Sequence, residues 1–183
     1  MGLRNRGLLA DEQCFFVTTT CYKHIQLLAT EDAKNIVANS LNFLTEKYKC
    51  HILGYVIMPN HVHMILYFEA DHRLSDFMRD FKKFTSVKLR QLIEVSGQTN
   101  ILDALRYEHR QQKLKVWMDR FDDVVIRSKD LFHTKLDYIH NNPLQAHWQL
   151  ADTADDYKHS SAAFYDAVYN GVVNVSDYSV FVW

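Results

Sequence analysis

"MPNHVHMIL", residues 58–66, sets two histidines one residue apart inside an apolar run. In an extended chain successive side chains point to opposite faces, so His61 and His63 share one face while Val62 and Met64 take the other. Two imidazoles on one face have the spacing of metal ligands. The same spacing suits a half-buried strand whose histidines hydrogen-bond to neighbours, so the rest of the chain has to weigh between the two. Pro59 and Asn60 are turn residues, and the flanking runs "HILGYVIM" (51–58) and "HVHMILYF" (61–68) read as the two strands of a hairpin.

Outward from the hairpin, "CFFVTTTCY" (14–22) is rich in β-branched and aromatic residues and reads as a strand. "TEDAKNIVANSLNFLTEKY" (30–48) opens with a Thr cap and an acidic first turn, then repeats apolar residues at helical spacing. "LSDFMRDFKKFTSVKLRQLIE" (74–94) is a second amphipathic helix with Ser75 as its expected cap. Residues 95–112 show no clear period and read as loop with a short helix near 101–110. "KVWMDRFDDVVI" (115–126) reads as one strand or a tight hairpin, and "SKDLFHTKLDYIHNN" (128–142) as a helix capped by Ser128 and closed by Pro143. A short helix (160–170) and a β-rich end (175–183) follow. The order strand, helix, strand, strand, helix, strand is the split βαββαβ or ferredoxin-like pattern, an α+β fold with an antiparallel sheet and helices on one face. The strand carrying His61 and His63 is then central, and the 128–142 helix is the one available to cover their side. One domain is expected over residues 1–150, with an extension over 151–183 packing on it.

Composition narrows the function classes. At 183 residues and 48% hydrophobic, the chain suits a globular domain with a sizeable core. Cys14, Cys21 and Cys50 form no CxxC pair, which argues against a disulfide framework or a structural zinc site. No apolar stretch approaches a membrane span and the N-terminus lacks the core of a signal peptide, so no membrane partner and a cytoplasmic location are expected. The net charge is −1, yet residues 79–120 hold ten Lys/Arg against five Asp/Glu, while residues 151–183 hold five Asp against one Lys. A basic middle can meet a polyanion inside a neutral protein.

On the 128–142 helix Tyr138 and Asn142 stand four apart and share a face. Over the sheet, that face would bring a phenol and an amide to the two imidazoles. Imidazole with oxygen ligands suits a divalent ion such as Mg²⁺ or Mn²⁺ with positions open for substrate oxygens. Beside such an ion tyrosine is a credible nucleophile towards a phosphate. Taken singly, Tyr138 also reads as a core aromatic and Asn142 as a helix C-cap.

"YVIMPNHVHMIL" (55–66) resembles the His-hydrophobic-His signature of the HUH single-strand DNA endonucleases, in the form carried by the IS200-like transposases. The likeness is greatest to their REP-associated tyrosine transposase branch. "FFVTTTCY" (15–22), "FKKFTS" (81–86), "VWMDRFDD" (116–123), "YIHNNPLQAHW" (138–148) and "YKHSSA" (157–162) resemble the same branch in the same order. The resemblance implies a metal-dependent endonuclease and strand transferase that cuts single-stranded DNA beside hairpins. It makes His61, His63 and Asn142 metal ligands for Mg²⁺ or Mn²⁺, with His140 a competitor, and Tyr138 the nucleophile of a 5′-phosphotyrosine intermediate. Insertion-sequence relatives carry Gln where this chain has Asn142. Single-stranded or hairpin DNA is the implied partner, a homodimer is open, and rejoining needs no nucleotide cofactor. Arg79, Lys82, Lys83, Lys88, Arg110, Lys113, Lys115 and Arg120 are expected phosphate contacts, and Arg4 and Arg6 resemble the basic lead-in that reads a guide tetranucleotide. Tyr22, Phe84 and Trp117 are candidate stacking partners for bases. Two alternatives stand beside this reading. One is a hairpin-binding protein of the same fold that does not cut. The other is a small-molecule metalloenzyme using His61, His63 and a carboxylate such as Asp137.

Overall fold

A computed structural model describes residues 12–70, 73–109, 112–166 and 171–181. In chain order its elements are β1 (Cys14–Thr20), α1 (Glu31–Tyr48), β2 (Cys50–Ile57), β3 (His61–Phe68), α2 (Leu74–Val95), α3 (Thr99–Ala104), β4 (Arg106–His109), β5 (Gln112–Leu114), β6 (Asp122–Val125), α4 (Lys129–Asn141) and α5 (Ala162–Tyr165). The main sheet runs β2-β3-β1-β6 and every neighbouring pair is antiparallel, the ferredoxin-like order expected from the sequence. The β2–β3 turn closes with Met58 N–H donating to the His61 carbonyl at 2.9 Å.

Alternation along the strands divides the interior into two layers. Val17, Val62, Met64, Leu66 and Phe68 pack with α1 and α2 through residues such as Val37, Leu41, Phe77 and Phe81. Phe16, Ile65, Leu53 and Val56 pack on the opposite face with Phe132, Leu136 and Ile139 of α4. His63 falls on that second face by the same alternation, on an inner strand of the sheet, and is buried. Gly54 admits α4 to the sheet: a Cβ there would stand 2.7 Å from Leu136 Cδ1.

The expected helix starts hold for α1 and α4, where Thr30 and Ser128 hydroxyls accept the Ala33 and Leu131 amides at 3.3 Å and 3.2 Å. Ser75 is not a cap. α2 begins one residue earlier at Leu74, which is buried with Phe77 and Met78, so core packing sets that end. The aperiodic stretch after α2 contains α3 and the β4–β5 ribbon. The expected strand at 115–126 is only β6; before it, Trp117 makes an isolated bridge to Cys21. The helix expected at 160–170 is the single turn α5, with residues 167–170 outside the described set, and the β-rich end contains a 3-10 turn at Tyr178–Val180.

Residues after 150 run along the outer edge of β2. Ile57 N–H donates to His159 O, Ser161 N–H to Tyr55 O and Ser176 N–H to Ile52 O, each at 2.9 Å. Among the described residues, no helix is long and apolar enough to cross a membrane.

Candidate active site

β3 projects His61 and His63 towards α4, and their ring centroids lie 4.6 Å apart. Each imidazole has one nitrogen committed to a neighbour. His63 Nδ1 meets Thr18 Oγ1 at 2.8 Å, because β1 places Thr18 directly opposite His63. His61 Nδ1 meets Asn60 Oδ1 at 2.6 Å. Phe16, two residues before Thr18 on the same face, stacks on the His63 ring at 5.4 Å. Trp148 lies 6.1 Å from His61.

α4 brings the phenol and the amide. Tyr138 stands edge-on to His63 at 5.1 Å and to Phe16 at 6.0 Å, and its side of the helix faces solvent, leaving it 45% exposed. Asn142, at the end of α4, is 2% exposed and lies against His61. Two buried polar atoms here have no hydrogen-bond partner, His63 Nε2 and Asn142 Oδ1. Buried polar atoms are rarely left unsatisfied, and an orphaned imidazole nitrogen next to an orphaned amide oxygen is the donor set a cation requires. The residues therefore fit a divalent ion.

Burial pushes His61 down to about 4, with the Asn142 amide opposing the shift and His24 and His147 adding to it. Burial likewise pushes His63 down to about 3, aided by the charges of His61 and Lys135. Both rings are neutral at pH 7, the state in which imidazole binds metal. His140, the competing ligand, turns away: its Nε2 meets Ser161 Oγ at 2.9 Å, as two residues from Tyr138 puts it on another helix face. Among the described residues, no three of His, Cys, Asp and Glu stand close enough to hold a metal, so Asp137 does not complete a carboxylate triad with the histidines.

The basic residues divide. Lys83, Lys88 and Arg120 are exposed. Lys83 and Lys88 flank a groove between α1 and α2 in which the exposed rings of Phe43 and Phe84 stack at 6.5 Å. Arg79 pairs with Asp76 and Asp80. Lys82 is drawn to the carbonyls of Met118, Asp119 and Arg120 at 2.9 to 3.4 Å, so its ammonium ties down the loop before β6. Lys115 departs furthest from expectation. It is buried, paired with Asp119 at 2.7 Å and set 4.2 Å over the Tyr107 ring. Trp117 is a core residue rather than a base platform: it is buried and donates Nε1–H to Thr85 Oγ1. Tyr22 packs with Tyr107 and Lys115. Arg4, Arg6, Arg110 and the side chain of Lys113 lie outside the described residues.

The family model for "Transposase IS200 like" matches residues 12–142, which spans β1 through the end of α4 and so the whole candidate site. The chain belongs to the IS200-like transposases. A solved REP-associated tyrosine transposase bound to a REP hairpin is similar over 95% of this transposase and 91% of its own chain, at 19% identity and a TM-score of 0.62, a likeness of fold. A crystal structure from Deinococcus radiodurans R1 covers 71% of this transposase and 90% of its own chain at 17% identity and a TM-score of 0.46. No curated protein matches.

Four residues beside the candidate site escaped the sequence reading: Phe16, Thr18, Lys135 and Trp148. Phe16 and Thr18 alternate within "FFVTTT", but only the β1–β3 register sets them beside His63. Lys135 was signalled by its place one helical turn before Tyr138.

Proposed function

We propose that this transposase cuts and rejoins single-stranded DNA beside hairpins, with Tyr138 as the nucleophile. The observation that carries the reading is the pairing of a solvent-reachable phenol with two orphaned polar atoms, His63 Nε2 and Asn142 Oδ1, across one small site. His61, His63 and Asn142 would hold Mg²⁺ or Mn²⁺, which when bound supplies polarisation of the scissile phosphate. Thr18 and Asn60 keep the Nδ1 atoms occupied and so turn the Nε2 atoms towards that position. Tyr138 Oη forms a bond to phosphorus as the bond to O3′ breaks; the phenol proton passes to solvent and O3′ takes one from water. The products are a 5′-phosphotyrosine and a 3′-hydroxyl. The covalent link keeps the phosphodiester energy, so the reverse reaction joins strands without a nucleotide cofactor. The DNA partner is supported by the REP hairpin in the similar structure and by the exposed Lys83 and Lys88 on α2.

The test is covalent trapping. The full chain, Mn²⁺ and a synthetic REP-type hairpin oligonucleotide with single-stranded flanks are expected to yield a nucleotide adduct stable to denaturant. Tyr138→Phe is expected to yield none. An adduct that persists in Tyr138→Phe moves the nucleophile elsewhere; tight hairpin binding without an adduct under any divalent ion favours a non-cutting binder.

A further inference from the structure

Resting on that reading, we propose that Lys135 is a further catalytic residue, its ammonium contacting a non-bridging oxygen of the scissile phosphate. Lys135 Nζ stands 4.9 Å from the centroid of the Phe16 ring. That same ring stacks on His63 and meets the edge of Tyr138, so ammonium, imidazole and phenol surround one phenyl group. Three residues before Tyr138 on α4, Lys135 shares its helix face.

What marks Lys135 is its position, a half-buried ammonium over the ring that stacks on His63. Lys34, Lys47, Lys115 and Lys158 each meet a carboxylate, and Lys82 is held by three carbonyl oxygens. Among the described residues Lys135 forms no ion pair, although it is partly buried. An ammonium kept at a site of neutral imidazoles, an amide and a phenol is matched by an anion that arrives with the substrate. A phosphodiester attacked by Tyr138 is that anion, and the pentacoordinate transition state carries more charge on its equatorial oxygens than the ground state does. A lysine stem lets a point charge follow that oxygen through the reaction.

The test uses the full chain, Mn²⁺ and the same hairpin oligonucleotide. Lys135→Met is expected to slow adduct formation about 100-fold while the hairpin Kd changes by less than about fivefold, and Lys135→Arg to restore most of the rate. A wild-type rate in Lys135→Met overturns the proposal. So does a rate loss equalled by the affinity loss, or one that Lys135→Arg does not rescue, since both mark a structural role. A wild-type chain that binds the hairpin but never forms the adduct defeats the cutting reading instead, and Lys135 is then judged by binding. In Tyr138→Phe, a neutral methylphosphonate is moved one linkage at a time along the flanks. One linkage is expected to weaken binding about threefold, with the difference erased by adding Lys135→Met. Finding no linkage whose effect depends on Lys135 overturns the proposal.

Discussion

A single hydroxyl decides which nitrogen His63 offers. Thr18 Oγ1 engages Nδ1 at 2.8 Å, so Nε2 is the atom left facing the candidate cation position. Thr18→Val keeps the shape of the strand and removes that contact. It is expected to cost about 1 kcal/mol of stability, while outer partners of metal ligands are worth about tenfold or more in metal affinity. Isothermal titration of Mn²⁺ into both chains checks this, and equal affinities would remove Thr18 from the site. The titrating groups make a separate statement. His61, His63 and His140 are pushed down to about 4, 3 and 4, in each case chiefly by burial. A histidine with a folded pKa below its unfolded value near 6.5 binds more protons unfolded, so folding weakens as pH falls from about 6.5 towards 4. Glu31, drawn down to about 2 by the His159 hydrogen bond, acts in the same direction at lower pH: its contribution is present above about 4.5 and lost towards 2. Thermal unfolding of the metal-free chain is therefore expected to be flat between pH 7 and 8 and to fall steadily below 6.5. A Tm that rises on acidification contradicts the burial of these rings.

At the scale of elements, α4 is positioned by what is missing from β2. Gly54 lacks the side chain that would meet Leu136, Ile65 and Ile139, and this lets the helix bearing Tyr138 close on the sheet. Gly54→Val is expected to cost about 2 kcal/mol by overpacking and, by displacing α4, to lower adduct formation more than hairpin binding. Chemical denaturation and the trapping assay read the two effects; unchanged adduct formation would free the phenol from dependence on this contact. Much of this arrangement could be read from the chain. Period two in "HVHMILYF" puts both imidazoles on one face, and Ser128 and Pro143 bracket the helix that covers them. What could not be read was register. Nothing in "FFVTTT" says that Thr18 opposes His63 rather than its neighbour, because that depends on pairing across 45 residues. Charge counting has the same limit: Lys115 and Lys82 look like surface cations in sequence, and the folded chain sets one in an aromatic-packed ion pair and makes the other a loop tether.

Across the whole molecule, the two faces of the sheet have different work. α1 and α2 shield one side and leave Phe43, Phe84, Lys83 and Lys88 on their outer surface, while the other side holds the imidazoles, the amide and the phenol under α4. The chain after residue 150 occupies the free edge of β2, where unpaired amides would otherwise recruit another strand. On the opposite edge, β6 passes to α4 through only Ile126, Arg127 and Ser128. That short joint returns the helix to the sheet it has just left, so the imidazoles, the amide and the phenol of the candidate site all come from one polypeptide. Two crippled copies then have nothing to lend each other: mixing His63→Ala with Tyr138→Phe should give no trapped product at any ratio, and dilution of the intact enzyme should leave its turnover per molecule unchanged.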